Sequence, residues 1–218
     1  MSQAPRQPAF VAWRAALHEL TDSPEESRRW RESRYHFAHR LGDALVGAAP
    51  GQPAITGAAV YGVWLRWGLL YVGQTTEAER RLRDLPVGES HHLANTFPPE
   101  TWDRVVVVAW PQLAEADAVT AMLGTKTTGL ALEHLLQSQA RPLANAARRR
   151  SDGGWRAVDR TRSGSVGARA ALEAQPLFDA LTAVWDIAAA SDGETVGELP
   201  PATRCVRPGH LLDSVEWF

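Results

Sequence analysis

The chain has 218 residues, 44% hydrophobic and 22% charged, with a formal net charge of −2, a composition that is typical of globular proteins and excludes wholesale disorder. Its one cysteine, Cys205, excludes an intramolecular disulfide and a thiolate metal cluster. No segment reaches the roughly 18 consecutive apolar residues of a membrane-spanning helix, and the first ten residues lack a secretory-signal pattern, so we expect a cytoplasmic protein.

Two helices are predicted in the N-terminal part of the chain. Residues 8–20 carry apolar side chains at helical spacing. A second helix is predicted over 23–46, where Ser23 can cap the first turn and Glu26 completes a capping box. The proline- and glycine-containing stretch 47–57 predicts a loop.

The sequence becomes rich in β-branched and aromatic residues after position 57. This pattern predicts a β-hairpin of 58–66 and 69–73 that reverses at Trp67-Gly68. We expect a short helix over 75–85 and a loop over 87–101.

The segment 103–110 is the clearest strand of the sequence. Its continuous apolar run predicts a central position with both faces covered. Helices are predicted over 113–124, over 129–139 and, with an interruption near Pro176, over 169–190. The chain beyond 191 is predicted to be loop-like until Trp217.

Arginine supplies nearly all of the positive charge, since Lys126 is the only lysine. On composition alone, a GC-rich coding sequence is the favoured explanation, and phosphate recognition by the guanidinium fork is the alternative. Position favours the second explanation for 141–169, where eight arginines and two aspartates give a formal charge of +6.

Five chemically informative elements occur in a fixed order. Ala59-Val60-Tyr61 and Tyr71-Val72-Gly73 place tyrosines ten residues apart on paired strands, and Arg81 follows ten residues later. Glu133 lies on a predicted helix, with Leu136, Pro142 and Asn145 at offsets of three, nine and twelve. This arrangement resembles the GIY-YIG nuclease family over residues 59–147.

The resemblance implies an α+β fold with a small, mostly antiparallel sheet flanked by helices and extended by N- and C-terminal helical additions. We therefore divide the chain into an N-terminal helical region (1–57), a nuclease core (58–147), and a basic segment with a C-terminal helical extension (148–218).

The side chains in these elements suit phosphodiester hydrolysis. A carboxylate holds Mg²⁺ (or Mn²⁺) when phosphate and waters complete the coordination shell, which is the expected role of Glu133. Arg81 is expected to contact the scissile phosphate as charge develops there. The resemblance implies that Tyr61 positions or deprotonates the attacking water, that Tyr71 binds phosphate or the water of the metal, and that Asn145 is partly structural.

Ala59 replaces the first glycine of the family pattern. A second register, Gly62-Val63-Trp64, keeps the glycine but loses the tyrosine and shortens the hairpin. We prefer Tyr61, because this register keeps the phenol and the spacing to Tyr71.

Leu85 stands where many relatives have a histidine four residues after the arginine. A phenol, with an ordinary pKa near 10, is a poor base at neutral pH and needs a partner that takes its proton. His91 and His92, in the predicted loop, are the candidates for this partner.

The leading hypothesis is a Mg²⁺-dependent double-stranded DNA endonuclease of the restriction or defence type, for which a homodimer is expected because one active site cuts one strand. Alternatives are a DNA-binding protein with a catalytically silent fold, which Leu85 favours, and a monomeric repair enzyme that nicks damaged DNA. The basic segment is expected to neutralise phosphates beside the site. The arginines assigned to DNA are Arg148, Arg149, Arg150, Arg156, Arg160 and Arg162.

Overall fold

A computed structural model describes residues 11, 14–15, 17–18, 21–88, 93–145, 150–156, 164–191, 199–200 and 202–212. Several residues to which the sequence assigns a role therefore lie outside the described residues: His91, His92, Arg148, Arg149, Arg160 and Arg162. Within the described ranges, none of the helices has the length and apolar character needed to cross a membrane.

The protein is built on a four-stranded antiparallel sheet with helices packed on it. The strands are β1 (Ala59–Leu65), β2 (Gly68–Thr75), β3 (Arg104–Val108) and β4 (Thr203–Val206), in the spatial order β2-β1-β3-β4. The predicted α+β class and antiparallel sheet are confirmed.

The predicted hairpin is formed by β1 and β2, with its reversal one residue earlier than expected. Leu65 pairs with Gly68, so Arg66 and Trp67 form a two-residue turn and Gly68 already belongs to β2. The register of the hairpin slips between Val63 and Trp64, which marks a local irregularity of the ladder.

Strand β3 is central, as its apolar run predicts. It pairs with β1 on one side and with β4 on the other, and its side chains alternate between the two hydrophobic cores. The prediction of a loop-like chain beyond 191 is wrong at β4. This short segment has little strand character of its own, and it becomes a strand because the edge of β3 offers it a partner.

The helices account for most of the remaining described chain. They are α1 (Pro24–Val46), α2 (Ala78–Val87), α3 (Leu93–Thr96), α4 (Ala116–Leu123), α5 (Thr125–Ala140), α6 (Val166–Arg169), α7 (Gln175–Ala190) and α8 (Gly209–Leu212), with 3₁₀ turns at Pro99–Thr101 and Trp110–Gln112. The Ser23 hydroxyl accepts a hydrogen bond from the Glu26 amide at 3.3 Å, which is the predicted cap of α1.

Two of these elements correct the predicted loop over 87–101. It contains α3 and the 3₁₀ turn Pro99–Thr101, because Leu93 and Ala94 bury their side chains against the core and Pro99 suits the start of a turn.

The sheet separates two hydrophobic cores. On one face, Phe37 and Leu41 of α1 and Leu82 and Leu85 of α2 pack with Tyr61. The opposite core consists of residues from α5 and α7 packed against both central strands. Each of the three regions that the sequence predicts contributes side chains to these cores.

Arg204 of β4 binds the C-terminal end of α1 and the loop that follows this helix. Its guanidinium is buried and donates to the carbonyl oxygens of Ala44 at 3.1 Å, Gly47 at 2.6 Å and Pro53 at 2.9 Å. Burial lowers the pKa of Arg204. Two of these carbonyls lie at the C-terminal end of α1, where helix carbonyls lack partners and attract positive charge.

Gly62 lies where an aromatic pair covers the sheet. Trp64 and Trp185 of α7 contact each other with ring centroids 5.2 Å apart. A Cβ atom on Gly62 would lie 2.6 Å from the indole of Trp185, closer than any real contact. Glycine is therefore required at position 62 by packing.

We expect Gly62→Ala to lower the free energy of unfolding by about 1–3 kcal/mol, the usual cost of overpacking a core, measured by urea denaturation. Gly164→Ala is the matched control, because nothing lies within 4 Å of its added carbon, and it is expected to change stability by less than about 0.5 kcal/mol. Equal midpoints for the two variants would contradict this account of the packing.

Candidate active site

The two tyrosines lie side by side on one face of the hairpin. Tyr61 is opposite Gly73, and Tyr71 is opposite Val63, so the two rings are diagonal neighbours with centroids 6.1 Å apart. A Cβ on Gly73 would lie 2.6 Å from the Tyr61 hydroxyl oxygen. Because Gly73 has no side chain, it leaves the space that the Tyr61 phenol occupies where it passes β2.

Helix α2 brings Arg81 to this pair. The helix is anchored directly below the sheet, since the Ala78 amide donates to the Gly57 carbonyl at 2.7 Å. Arg81 Nε then donates to the Tyr61 hydroxyl at 3.3 Å. The side chain of Tyr61 is fully buried, and Tyr71 is partly exposed. Tyr61 is therefore the buried phenol that accepts from Arg81, and Tyr71 is the phenol nearer to solvent.

Helix α5 supplies the carboxylate. Gln137 Nε2 donates to Glu133 Oε1 at 3.1 Å and to the Val72 carbonyl at 3.2 Å. Glu133 is near enough to the two tyrosines for its negative charge to raise the pKa of both phenols. The structure thus brings Tyr61, Tyr71, Arg81 and Glu133 into one cluster.

Sequence reasoning missed Gln137. The available signal was its spacing, because side chains four residues apart on a helix are neighbours. Gln137 is buried, and it links the carboxylate to the backbone of β2. It acts as a positioning residue for Glu133.

Asn145 binds the same edge of the sheet. Its Oδ1 accepts from the Val72 amide at 3.0 Å, and its Nδ2 donates to the Val72 carbonyl at 2.9 Å. The Ala144 amide also donates to the Leu70 carbonyl at 2.7 Å. Asn145 therefore replaces a missing neighbouring strand beside Tyr71, and its contacts are structural.

The surroundings of Tyr61 and Tyr71 raise the pKa values of both phenols. Burial raises the pKa of Tyr61, and the nearby Arg81 charge opposes this rise. Burial also raises the pKa of Tyr71, with further increases from Tyr61 and from the charge of Glu133. Both shifts act against ionisation at neutral pH, so neither phenol is suited to be a base there.

The alternative register of the first tripeptide gives a different geometry. Trp64 packs with Trp185 in the core on the opposite face from Tyr71. Only Tyr61 places an aromatic hydroxyl beside Tyr71 and Arg81. Leu85, at the position where the resembled family often has histidine, is fully buried in the core with Tyr61.

The donor set for a metal at this cluster is a single carboxylate. In the described part of the chain, no three His, Cys, Asp or Glu side chains are grouped so that they could hold a metal ion. Mg²⁺ often binds proteins through one or two carboxylates while phosphate oxygens and waters fill its other positions. Glu133 fits that mode of binding, and a closed all-protein metal site is not formed by these residues.

Two of the six arginines assigned to DNA, Arg150 and Arg156, lie within the described residues. Arg150 and Arg156 are exposed, and Arg150 closes a tight turn in which its amide donates to the Gly154 carbonyl at 2.8 Å. Asn145, which is bound to the edge of β2 that carries Tyr71, precedes these arginines in the chain.

The neutral phenols lead to a titration prediction. The chain has three tyrosines, and Tyr35 is 50% exposed whereas the other two form the buried pair. Raised pKa values keep the pair protonated through the ordinary range near 10, so their contribution to stability is present below pH ~10 and lost as the pH rises through the raised values. We expect the phenolate absorbance step between pH 9 and 11 to be as large in Tyr71→Phe as in the wild type, because the raised pKa of Tyr71 keeps this phenol protonated over that range. Loss of the step in Tyr71→Phe alone would contradict the prediction.

Comparisons of this chain with protein-family models, with curated proteins and with solved structures gave no match.

Proposed function

We propose that this protein is a Mg²⁺-dependent DNA endonuclease of the GIY-YIG type that hydrolyses phosphodiester bonds, with a restriction or defence role. The observation that supports this proposal is the cluster in which Arg81 binds Tyr61, Tyr71 lies beside it, and Glu133 is within electrostatic range of both phenols. A fixed cation can stabilise the charge that develops on a scissile phosphate, hydroxyl groups can orient water and phosphate, and a carboxylate can hold a metal ion.

Arg81 is the side chain that contacts the scissile phosphate in this proposal. A guanidinium offers several N–H donors in one plane, and the bond from Nε to Tyr61 sets the direction of that plane. Non-bridging oxygens gain negative charge in the transition state, so a fixed cation stabilises the transition state more than the ground state.

Tyr61 and Tyr71 hold water and phosphate as neutral hydroxyl groups. Because burial raises the pKa of each, each phenol both donates and accepts hydrogen bonds at neutral pH. Tyr61 would orient the attacking water towards phosphorus. Tyr71, the more exposed of the two, contacts a phosphate oxygen.

Glu133 would hold the metal ion, and Gln137 keeps the carboxylate in place. Bound Mg²⁺ supplies a Lewis acid for the phosphoryl oxygen and lowers the pKa of a coordinated water. The proton of the attacking water needs an acceptor other than a phenol of raised pKa. His91 and His92 remain the hypotheses for that acceptor, and they lie outside the described residues.

The proposed substrate is double-stranded DNA, and a homodimer would cut both strands. The contrary observation is Leu85, buried where a histidine would assist the chemistry, which favours a DNA-binding protein with a silent site. The two functions separate when pure protein is incubated with unmodified and host-modified plasmid in Mg²⁺ or in EDTA. Cleavage that occurs in Mg²⁺ and not in EDTA supports the endonuclease. Binding without cleavage under all conditions supports a DNA-binding protein with a catalytically silent site.

We expect Glu133→Ala to reduce plasmid cleavage by at least about 100-fold, the scale on which loss of one charge-stabilising group acts. DNA affinity should be unchanged or slightly higher, because a negative charge near the phosphates is removed. Glu173→Ala, at an exposed carboxylate on another part of the fold, is the control and should cut normally. Full nicking activity in Glu133→Ala would remove the carboxylate from the mechanism.

The basic segment is tested by replacing Arg148, Arg149 and Arg150 with glutamine. If these side chains lie on the DNA backbone, affinity for all sequences falls together, and the slope of log affinity against log salt becomes shallower by up to ~0.9 for each phosphate that the arginines no longer neutralise. Arg29→Gln is the control, because that arginine is engaged by Glu25 at 2.7 Å. A slope that does not change in the triple variant would show that the segment does not bind phosphates.

A further inference from the structure

The side chain of Gln74 presents a buried oxygen to helix α5. Gln74 lies in β2 directly after Gly73, and the residue as a whole is partly exposed. Its Oε1 atom is buried, and this atom accepts no hydrogen bond from the residues that the structure describes. Buried polar atoms are almost always hydrogen-bonded, because a bond that is not made costs the desolvation of the group. The oxygen is therefore an acceptor that calls for a donor.

Gly129 of α5 leaves the space that this oxygen occupies. A Cβ atom at position 129 would lie 2.8 Å from Gln74 Oε1, closer than a real contact allows. Glycine is an unfavourable residue inside a helix, and Gly129 lies within α5. The missing side chain thus allows the amide of Gln74 to reach the surface of the helix.

Glu133 lies on the same row of α5 as Gly129. Residues four apart are neighbours on a helix surface, so Gly129, Glu133 and Gln137 form one row. Both ends of this row contact β2. Gly129 lies against Gln74, and Gln137 donates to the carbonyl of Val72 at 3.2 Å. The carboxylate of Glu133 is therefore carried along β2 between these two contacts.

The spacing of the two side chains suits a water-bridged cation. Neighbouring positions of a helix row are about 5–6 Å apart, and helical side chains lean towards the N-terminus, which inclines Glu133 towards Gly129. An ionised carboxylate and an amide oxygen are both acceptors, so they do not bind each other. Mg²⁺ lies about 2.1 Å from its oxygen ligands and keeps several waters, and a water donates over about 2.8 Å. A water on a cation at Glu133 can therefore reach Gln74 Oε1.

We propose that Gln74 is a positioning residue of the metal site, where its Oε1 accepts a hydrogen bond from a water bound to the divalent cation that Glu133 holds. The inference rests on the proposed endonuclease function. Gln137 then fixes the carboxylate, and Gln74 fixes a water of the cation from the preceding turn of α5. Outer partners of this kind commonly change metal affinity by about 10- to 100-fold.

The test measures the affinity of the full-length protein for Mn²⁺ without DNA, from the electron paramagnetic resonance signal of the free ion. Binding that is lost in Glu133→Ala defines the site. We expect Gln74→Met, which keeps the length of the side chain and removes the acceptor, to weaken this site by about 10- to 100-fold. Gln74→Glu keeps an acceptor oxygen and adds a negative charge, so it should bind Mn²⁺ more tightly than the wild type. Gln112→Met, at an exposed glutamine on another part of the fold, is the control and should match the wild type.

The outcomes distinguish this inference from the function on which it rests. Mn²⁺ affinity that is unchanged in Gln74→Met overturns the role of Gln74, and so does the lack of any Glu133-dependent site in the wild type. Plasmid cleavage by the wild type decides the endonuclease function separately in each case. Gln74→Glu has the shape of the natural side chain, so it decides the result if Gln74→Met does not fold. An affinity of Gln74→Glu no higher than that of the wild type would overturn the inference.

Discussion

The backbone of Val72 is the fixed point on which the candidate site depends. Asn145 binds both its amide and its carbonyl, and Gln137 binds the same carbonyl while holding Glu133. An edge strand normally presents such groups to solvent, where they invite pairing with another chain. Here two side-chain amides occupy them, so the position of the carboxylate is set relative to Tyr71, the neighbour of Val72 in the same strand.

Opposing electrostatic effects act on the pKa values of the two tyrosine phenols at the site. Burial raises the pKa of Tyr61 and Tyr71 and dominates, while Arg81 acts in the opposite direction and Glu133 reinforces the rise. A negative phosphate beside Arg81 would weaken the opposing effect of the guanidinium, and a divalent cation beside Glu133 would cancel the effect of the carboxylate. If the proposed metal ion binds at Glu133, the pKa values of both phenols would fall from their raised values.

Local signals in the sequence were sufficient for the hairpin, for β3 and for α1. A content rich in β-branched and aromatic residues, a continuous valine run and the Ser23 cap each depend on near neighbours in the chain, and the hairpin, β3 and the start of α1 lie where they were predicted. Three features depend on distant partners and were not predictable in this way. Strand β4 needs the edge of β3, Gln137 needs the carbonyl of Val72, and the turn at Arg66 and Trp67 follows from the pairing of Leu65 with Gly68. For the site, four side chains that the spacing singles out lie in one cluster, but the rise in the pKa of both phenols follows only from their burial, which the sequence does not give.

The long-range contacts of Arg204 and β4 have a consequence for the folding of the chain during its synthesis. Arg204 binds the carbonyl of Ala44 across 160 residues, and β4 covers the valine-rich edge of β3. A growing chain that has emerged from the ribosome only as far as α7 therefore has its sheet open along Val105–Val108. Contacts of such long range form late, and an uncovered run of valines is a template for pairing with other nascent chains. Pairing with β4, which follows the other described strands in the chain, is therefore the step that closes this edge of the sheet.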